Sequence, residues 1–156
     1  MHIEIAEFDH PAVQRLIAEV QQEYVARYGR QDETPIGSEQ FRTPHGMFLL
    51  GRVAGEPVAI GGWRVYDPAE PEFEDGDVEL KRMYVAPRAR GRGLARRMLT
   101  ELEERAVAAG HKRVLLETGD RQPEAIGLYR AAGYTDIPAF GPYRDDPASV
   151  CFAKTL

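Results

Sequence analysis

Between Val78 and Leu99 the chain reads VELKRMYVAPRARGRGLARRML, and no other stretch restricts the fold as much. Val78 to Val85 reads as a strand halted by Pro87, which cannot donate to a sheet ladder. After Gly93, apolar residues at Ala95, Leu99, Leu102, Ala106 and Ala109 recur at alternating steps of four and three, the period of a helix that Gly110 is suited to end. A strand, a glycine-rich turn and a helix in that order leave unpaired N–H groups and the positive end of the helix dipole beside the turn, where anions bind. Gly91 and Gly93 allow positive φ and close backbone approach, while Arg88, Arg90 and Arg92 surround the turn with forked donors matched to phosphate oxygens. Arg96 and Arg97 read as the wet face of the helix. The segment is not a nucleotide-hydrolase loop, which needs Gly-Lys-Ser/Thr. A dinucleotide fingerprint would need a third glycine where Arg96 stands and would follow the first strand of its unit, whereas this strand is about the fourth.

The remaining segments supply a sheet for this unit. IEIAEF, Ile3 to Phe8, alternates like a half-buried strand. PAVQRLIAEVQQEYV sets Val13, Leu16, Ile17, Val20 and Tyr24 on one helical face and stops near Gly29. Residues 29 to 46 read as loop with one short helix. A hairpin follows, with a strand to Val53, a turn at Ala54–Gly55 and a return strand to Tyr66. DPAEPEFEDGD is an acidic, proline-rich surface loop whose solvated carboxylates (Glu70, Glu72, Glu74, Asp75, Asp77) also make a field that attracts cations. RVLLET has the near-continuous apolar pattern of a strand buried on both faces. PEAIGLYRAAG is a short helix with Pro123 in its first turn and Gly133 closing it. Strands near Tyr134 and at SVCFAKTL finish the order, which is that of a mixed α/β sheet with helices on its faces, in one domain over residues 1–156.

Composition narrows the function classes. At 156 residues one core is expected to bury about two-thirds of the unfolded surface. The net charge of -5 argues against a nucleic-acid binder, which carries a broad basic face. Cys151 is the only cysteine, which leaves no disulfide framework or thiolate cage, and His2, His10, His45 and His111 lack ligand spacing, so no metal is expected. The N-terminus lacks the pattern of a signal peptide and no apolar stretch approaches the length of a bilayer span, so a soluble, cytoplasmic protein without membrane partners is expected.

Arg88-x-x-Gly91-x-Gly93 after a strand ending MYV resembles the acyl-CoA pyrophosphate loop of the GNAT N-acetyltransferase superfamily. QPEAIGLYRAAGY resembles that family's later Asn-x-x-Ala-x-x-x-Tyr-x-x-x-Gly-Phe/Tyr block, with Gln122 in place of the common Asn. The two blocks stand in the family's order with RVLLET between them. The resemblance implies an α/β fold whose mixed, mostly antiparallel sheet is splayed between its fourth and fifth strands. It implies acetyl-CoA as co-substrate. Backbone groups of Met83, Tyr84 and Val85 would pair with the pantetheine arm, amides of Gly91, Arg92, Gly93, Leu94, Ala95 and Arg96 would hold the diphosphate, and Arg88, Arg90 and Gln122 would flank it. A homodimer is an expectation from family analogy alone.

Two residues are candidates for the chemistry. Glu79 is the candidate general base. ELKR places three charges on a central strand, where unpaired charge is costly, and alternation sets Glu79 and Lys81 on one face, so an ion pair between them is the competing reading. Several family members carry a base carboxylate at the matching place. Tyr129 is the candidate acid for the leaving thiolate, since a phenol stays protonated at neutral pH. Its competing reading is a core tyrosine beside Ile126. Cys151 reads as a small apolar residue, which favours direct transfer through a ternary complex. The family's acceptor pocket maps to Asp32 and Glu33 after the first helix and to Phe140 and Tyr143 before the last strand. The expected acceptor is a small amine or amino acid. The alternatives are a protein N-terminus or lysine, and a non-catalytic acyl-CoA-binding regulatory module.

Overall fold

The computed structural model describes residues 1–66 and 70–156; Asp67, Pro68 and Ala69 of the acidic loop lie outside the described residues. Seven strands, β1 (His2–Ile5), β2 (Gly46–Val53), β3 (Glu56–Val65), β4 (Asp77–Val85), β5 (Arg113–Gly119), β6 (Thr135–Asp136) and β7 (Ser149–Thr155), form one sheet in the order β1-β2-β3-β4-β5-β7-β6. Every pairing is antiparallel except β4 with β5. The helices are α1 (Pro11–Tyr28), α2 (Leu94–Ala108) and α3 (Pro123–Ala131), and 3-10 turns lie in the loop after α1, at Ser38–Phe41, and after β4, at Pro87–Ala89. Two strands are shorter than the sequence pattern suggests. β1 ends at Ile5, three residues before Phe8 packs against Phe41 and Phe48; β3 ends at Val65, one residue before Tyr66 stacks on Phe73.

The pleat sorts the core. Phe48 and Leu50 pack with Val13, Leu16 and Val20 of α1, whereas Leu49 between them packs with Met98, Leu99 and Leu102 of α2, so α1 and α2 cover opposite faces. Tyr129 and Ala132, at the end of α3, join the α2 side. Each fully buried Leu or Met of α2 contributes about 1.5–3 kcal/mol by leaving water. A third cluster, Leu115, Phe140, Cys151 and Ala153, covers the far end of the α1 face.

The sheet opens at its parallel pairing. β4 and β5 are in register only at Asp77–Arg113, Val78–Val114 and Glu79–Leu115, while β5 stays paired with β7 as far as Gly119. From Leu80 to Val85 the β5-facing edge of β4 therefore has no sheet partner among the described residues. On the other edge, the β3–β4 register slips between Ile60–Tyr84 and Gly62–Lys81, so Arg82 and Met83 oppose the single Gly61. This is a β-bulge, and Arg82 takes φ 56° within it.

Candidate active site

A groove of about 410 Å³ follows the unpaired edge of β4. Met83, Tyr84 and Val85 line one side, the turn and helix start at Gly91, Gly93, Leu94, Ala95 and Arg96 close one end, and Gln122, Leu128 and Tyr129 of the α3 segment form the opposite wall. Gly91 and Gly93 have φ of 80° and 72°, and a Cβ at either would meet no atom within 4 Å, so both conformation and space leave the turn's backbone accessible. The N–H groups at the start of α2 face the groove without a side-chain cap.

The arginines divide. Arg90 lines the groove, with its Nε donating to the Val85 carbonyl at 2.9 Å and its Nη2 paired with Glu23 of α1. Arg88 turns away: its Nε bonds Glu56 at 2.7 Å, Nη1 reaches Glu19 and Nη2 donates to the Pro57 carbonyl. Arg92 is exposed on the turn and outside the groove's lining. Arg88 was expected beside the diphosphate; the carboxylates of Glu19 and Glu56 instead hold it against α1 and the β2–β3 hairpin.

A second, smaller cavity of about 80 Å³ adjoins the groove, and Gln122 lines both. Tyr24 and Tyr28 from the end of α1, Asp32 from the following loop, Glu117 of β5, Tyr143 and Ser149 contribute to its wall. Behind Asp32 lie Lys81 and Arg82, both buried. The bulge explains how two consecutive residues serve one anion: Lys81 follows the pleat, and the left-handed backbone at Arg82 turns its guanidinium to the same side, where Nη1 donates to Asp32. Burial alone would raise the Asp32 pKa, but the charges of Lys81 and Arg82, with two donors from Thr34, hold its carboxyl well below the usual range. Burial pushes the Lys81 ammonium down, against the pull of Glu79 and Asp32.

Glu79, the expected base, lies elsewhere. It is 3% exposed and lines neither cavity, because the register sets it opposite Arg64 of β3, whose Nη2 and Nε reach one carboxylate oxygen at 2.8 and 3.0 Å. Arg64 is itself fixed by Gln40 Oε1 at 2.7 Å and the Pro35 carbonyl. The ion pair considered from sequence is present, with Arg64 as the partner in place of Lys81. Of the three carboxylates that line the small cavity, Asp32 is paired with Arg82 and Asp146 with Arg30, and Glu117 has no guanidinium partner among the described residues. Burial raises its pKa to about 7, against the lowering by Lys81 and with a further push from Asp32; the Ser149 hydroxyl lies 3.2 Å from its Oε1. The signal for it was present in RVLLET, a lone acid in an otherwise apolar strand, but nothing in the pattern said that one end of the strand borders a cavity.

Tyr129 lines the groove, 6% exposed, with its ring edge-on to Tyr134. Burial pushes its phenol well above the ordinary range. Of the expected acceptor residues, Asp32 and Tyr143 line the small cavity; the Glu33 side chain is exposed and its amide is what the site uses, donating to Tyr143 Oη at 2.7 Å. Phe140 is fully buried in the third apolar cluster, edge-on to Phe73, and offers a ligand no surface. Cys151 sits in that same cluster, where burial raises its thiol. In the acidic loop, Asp77 is paired with Arg113 and Glu70 with Arg144, which removes two of the five carboxylates between Glu70 and Asp77 from any attracting field. Among the described residues no helix is long and apolar enough to cross a membrane.

Residues 13–134 match the family model described as acetyltransferase (GNAT) family. An IAA acetyltransferase of Azospirillum brasilense is 37% identical over 145 residues, covering 93% of this chain and 91% of that protein. A solved protein of Klebsiella pneumoniae, provisionally described as an acyl-CoA N-acyltransferase, superposes with a TM-score of 0.78 at 30% identity, over 99% of this chain and 97% of that one. The PaiA N-acetyltransferase of Thermoplasma acidophilum, solved in complex with coenzyme A, shares the fold with a TM-score of 0.71 at 16% identity over the full length of both chains.

Proposed function

Since this chain belongs to the GNAT acetyltransferase family and is an acetyl-CoA-dependent acyltransferase, we propose that it moves the acetyl group directly to the primary amine of a small molecule, both substrates being bound together. The observation that carries this reading is the pair of adjoining cavities sharing Gln122: a long groove along the open edge of β4 and a small one holding Glu117. The groove suits an elongated acyl-CoA. The edge of β4 from Met83 to Val85 that lacks a sheet partner suits the amides of a pantetheine arm, and the α2 start suits a diphosphate. The small cavity has room for about six water-sized groups, which favours a compact acceptor over a peptide.

Glu117 is the base in this reading. An alkylamine is an ammonium with a pKa of about 10 and must lose a proton before its nitrogen has a lone pair. Passing that proton to a carboxylate near 7 is uphill by about 4 kcal/mol in water, a gap that narrows as the tyrosine-walled cavity desolvates the ammonium. As the nitrogen–carbon bond forms and the carbon–sulfur bond breaks, charge passes to the departing thiolate. Tyr129, placed in the groove, donates a hydrogen bond to that sulfur. Its raised pKa makes full proton transfer to a thiolate of pKa about 8.5 unfavourable, so its part is to stabilise charge while solvent supplies the proton. Glu79 and Arg64 act as a structural pair under the loop that carries Asp32. Direct transfer is supported by the position of Cys151, outside the groove's lining and raised in pKa.

Thiol release from acetyl-CoA, measured with a panel of small primary amines, with peptides and with no acceptor, tests the reading. Release is expected with small amines alone, with no acetylated enzyme in the mass spectrum when the amine is omitted. Release confined to peptides, or an acetyl-enzyme formed at a competent rate, overturns it.

A further inference from the structure

A third hollow, of about 480 Å³, lies on the far side of the loop that carries Asp32. The same two loops wall it and the small cavity. After α1, Arg30 and Asp32 face the small cavity while Thr34 and Pro35 face the large hollow. Before β7, Tyr143 and Asp146 face the small cavity while Pro142 and Arg144 face the large one. The changeover in the first loop falls at Glu33, whose amide donates to Tyr143 Oη at 2.7 Å; in the second loop Tyr143 and Asp146 turn to the small cavity while Arg144 and Asp145 between them turn to the large one. Beside that hydrogen bond, Arg30 lies over the Tyr143 ring at 5.3 Å and pairs with Asp146 at 2.8 Å.

We propose that Tyr143 and the tie it makes to Glu33 form a clasp that closes the acceptor cavity at its distal end and sets the length of amine the enzyme accepts, with the large hollow beyond it as the space a longer chain would enter. The inference rests on the acceptor occupying the Glu117 cavity. Its physical basis is the mismatch between the two volumes and the slightness of the barrier. Between about 80 Å³ and about 480 Å³ the two loops are tied to each other at this point by one hydrogen bond, an exposed ion pair and one ring. A neutral hydrogen bond contributes about 1 kcal/mol and an exposed ion pair less, so the clasp holds mainly through the bulk of the tyrosine ring. Tyr143 touches the acceptor as a wall and is given no part in proton transfer. Amines that fit within the cavity bury their whole chain there; longer ones must push the ring aside and lose the tie.

Tyr143→Ala and Tyr143→Phe, each assayed with propylamine and octylamine, test this. One methylene of steric fit changes selectivity roughly 10-fold or more, so Tyr143→Ala, which removes the wall a longer chain would meet, is expected to raise the octylamine-to-propylamine ratio of kcat/KM by at least about tenfold. Tyr143→Phe keeps the ring and is expected to shift the ratio far less. Coenzyme A binding by calorimetry is expected to match the wild type in both, which certifies their folding. An unchanged ratio in a folded Tyr143→Ala protein overturns the clasp. Calorimetric binding of the two amines gives the same ratio without turnover. A wild type that acetylates neither amine thus counts against the proposed reaction, while the binding ratio still judges the clasp.

Discussion

At the scale of single residues, the site turns on which of two acids faces the amine. Both occupy a strand in the middle of the sheet, and in the sequence Glu79 is the more conspicuous, lying in the charged run ELKR. What separates them is long-range. Glu79 meets Arg64 only because the β3–β4 register sets them opposite each other, a pairing that neither segment announces. Glu117 remains without a guanidinium and is left between Ser149 and the Lys81–Asp32 cluster. The two acids should therefore fail differently. Glu117→Gln is expected to lower kcat by about 10²–10⁴, the usual worth of a general base, and to abolish the rise of rate through pH about 7. The sign follows from the base having to be ionised: below that pH the carboxyl carries its proton and cannot accept another. Glu79→Gln leaves Arg64 buried without its counter-charge and is expected to cost about 3–5 kcal/mol of stability while keeping the pH profile of whatever protein folds. Urea melts and pH–rate profiles of the two variants distinguish the roles, and a pH profile of Glu117→Gln identical to wild type returns the base to another group.

The elements themselves were largely legible, because each carries a local signal. The four–three spacing from Ala95 to Ala109, Pro123 at a helix start, and the Ala54–Gly55 turn between two apolar runs all depend on neighbours a few residues away, and α2, α3 and the β2–β3 hairpin stand where those signals place them. The bulge at Arg82 was not legible. Strict alternation assigns Lys81 and Arg82 to opposite faces, and only the half-buried carboxylate of Asp32, 50 residues from Arg82 in sequence, rewards turning both to one side. Phe140 stands in the loop that the family resemblance assigns to the acceptor pocket, and only the tertiary packing, with Phe73 edge-on to it and Leu115 in the same cluster, takes its side chain away from any ligand. The turn before α2 is where local geometry and ligand binding coincide, and it carries a prediction at this scale. Gly93 sits at φ 72° with open space where a Cβ would project, so Gly93→Ala meets no clash and bears only the left-handed backbone penalty of about 1–2 kcal/mol. Relieving it tips the amides of Leu94 to Arg96 that face the groove. The expected result is a rise of about tenfold in the KM for acetyl-CoA, equivalent to about 1.4 kcal/mol, with acceptor KM unchanged. Equal loss for both substrates would make Gly93 a folding residue alone.

For the molecule as a whole, the division of the sheet matters most. β1 to β4 form one half and β5, β7 and β6 the other, joined along the sheet by three register pairs at one end of β4 and spread apart at the other. The sequence implied this opening through a family resemblance and not through any periodicity, since a strand with a free edge has the same apolar pattern as one fully paired. The groove runs between the halves, with β4 and the α2 start on one side and α3 on the other. A ligand lying in it touches both and so binds the folded chain far better than the unfolded one. At about one hundred times its dissociation constant such a ligand adds about 2.7 kcal/mol. In a chain of this size each kcal/mol moves Tm by about 2–4 °C, so acetyl-CoA is expected to raise Tm by roughly 5–10 °C in a thermal melt. Coenzyme A without the acetyl group should do nearly as much, because the contacts proposed for the groove fall on the diphosphate and pantetheine portions. Tyr129→Phe should keep the full shift while its turnover falls, since the part proposed for it is played by its hydroxyl and its ring still packs against Tyr134. A melt that acetyl-CoA leaves unmoved at millimolar concentration would mean that the space between the halves holds a different ligand, whatever the two acids do.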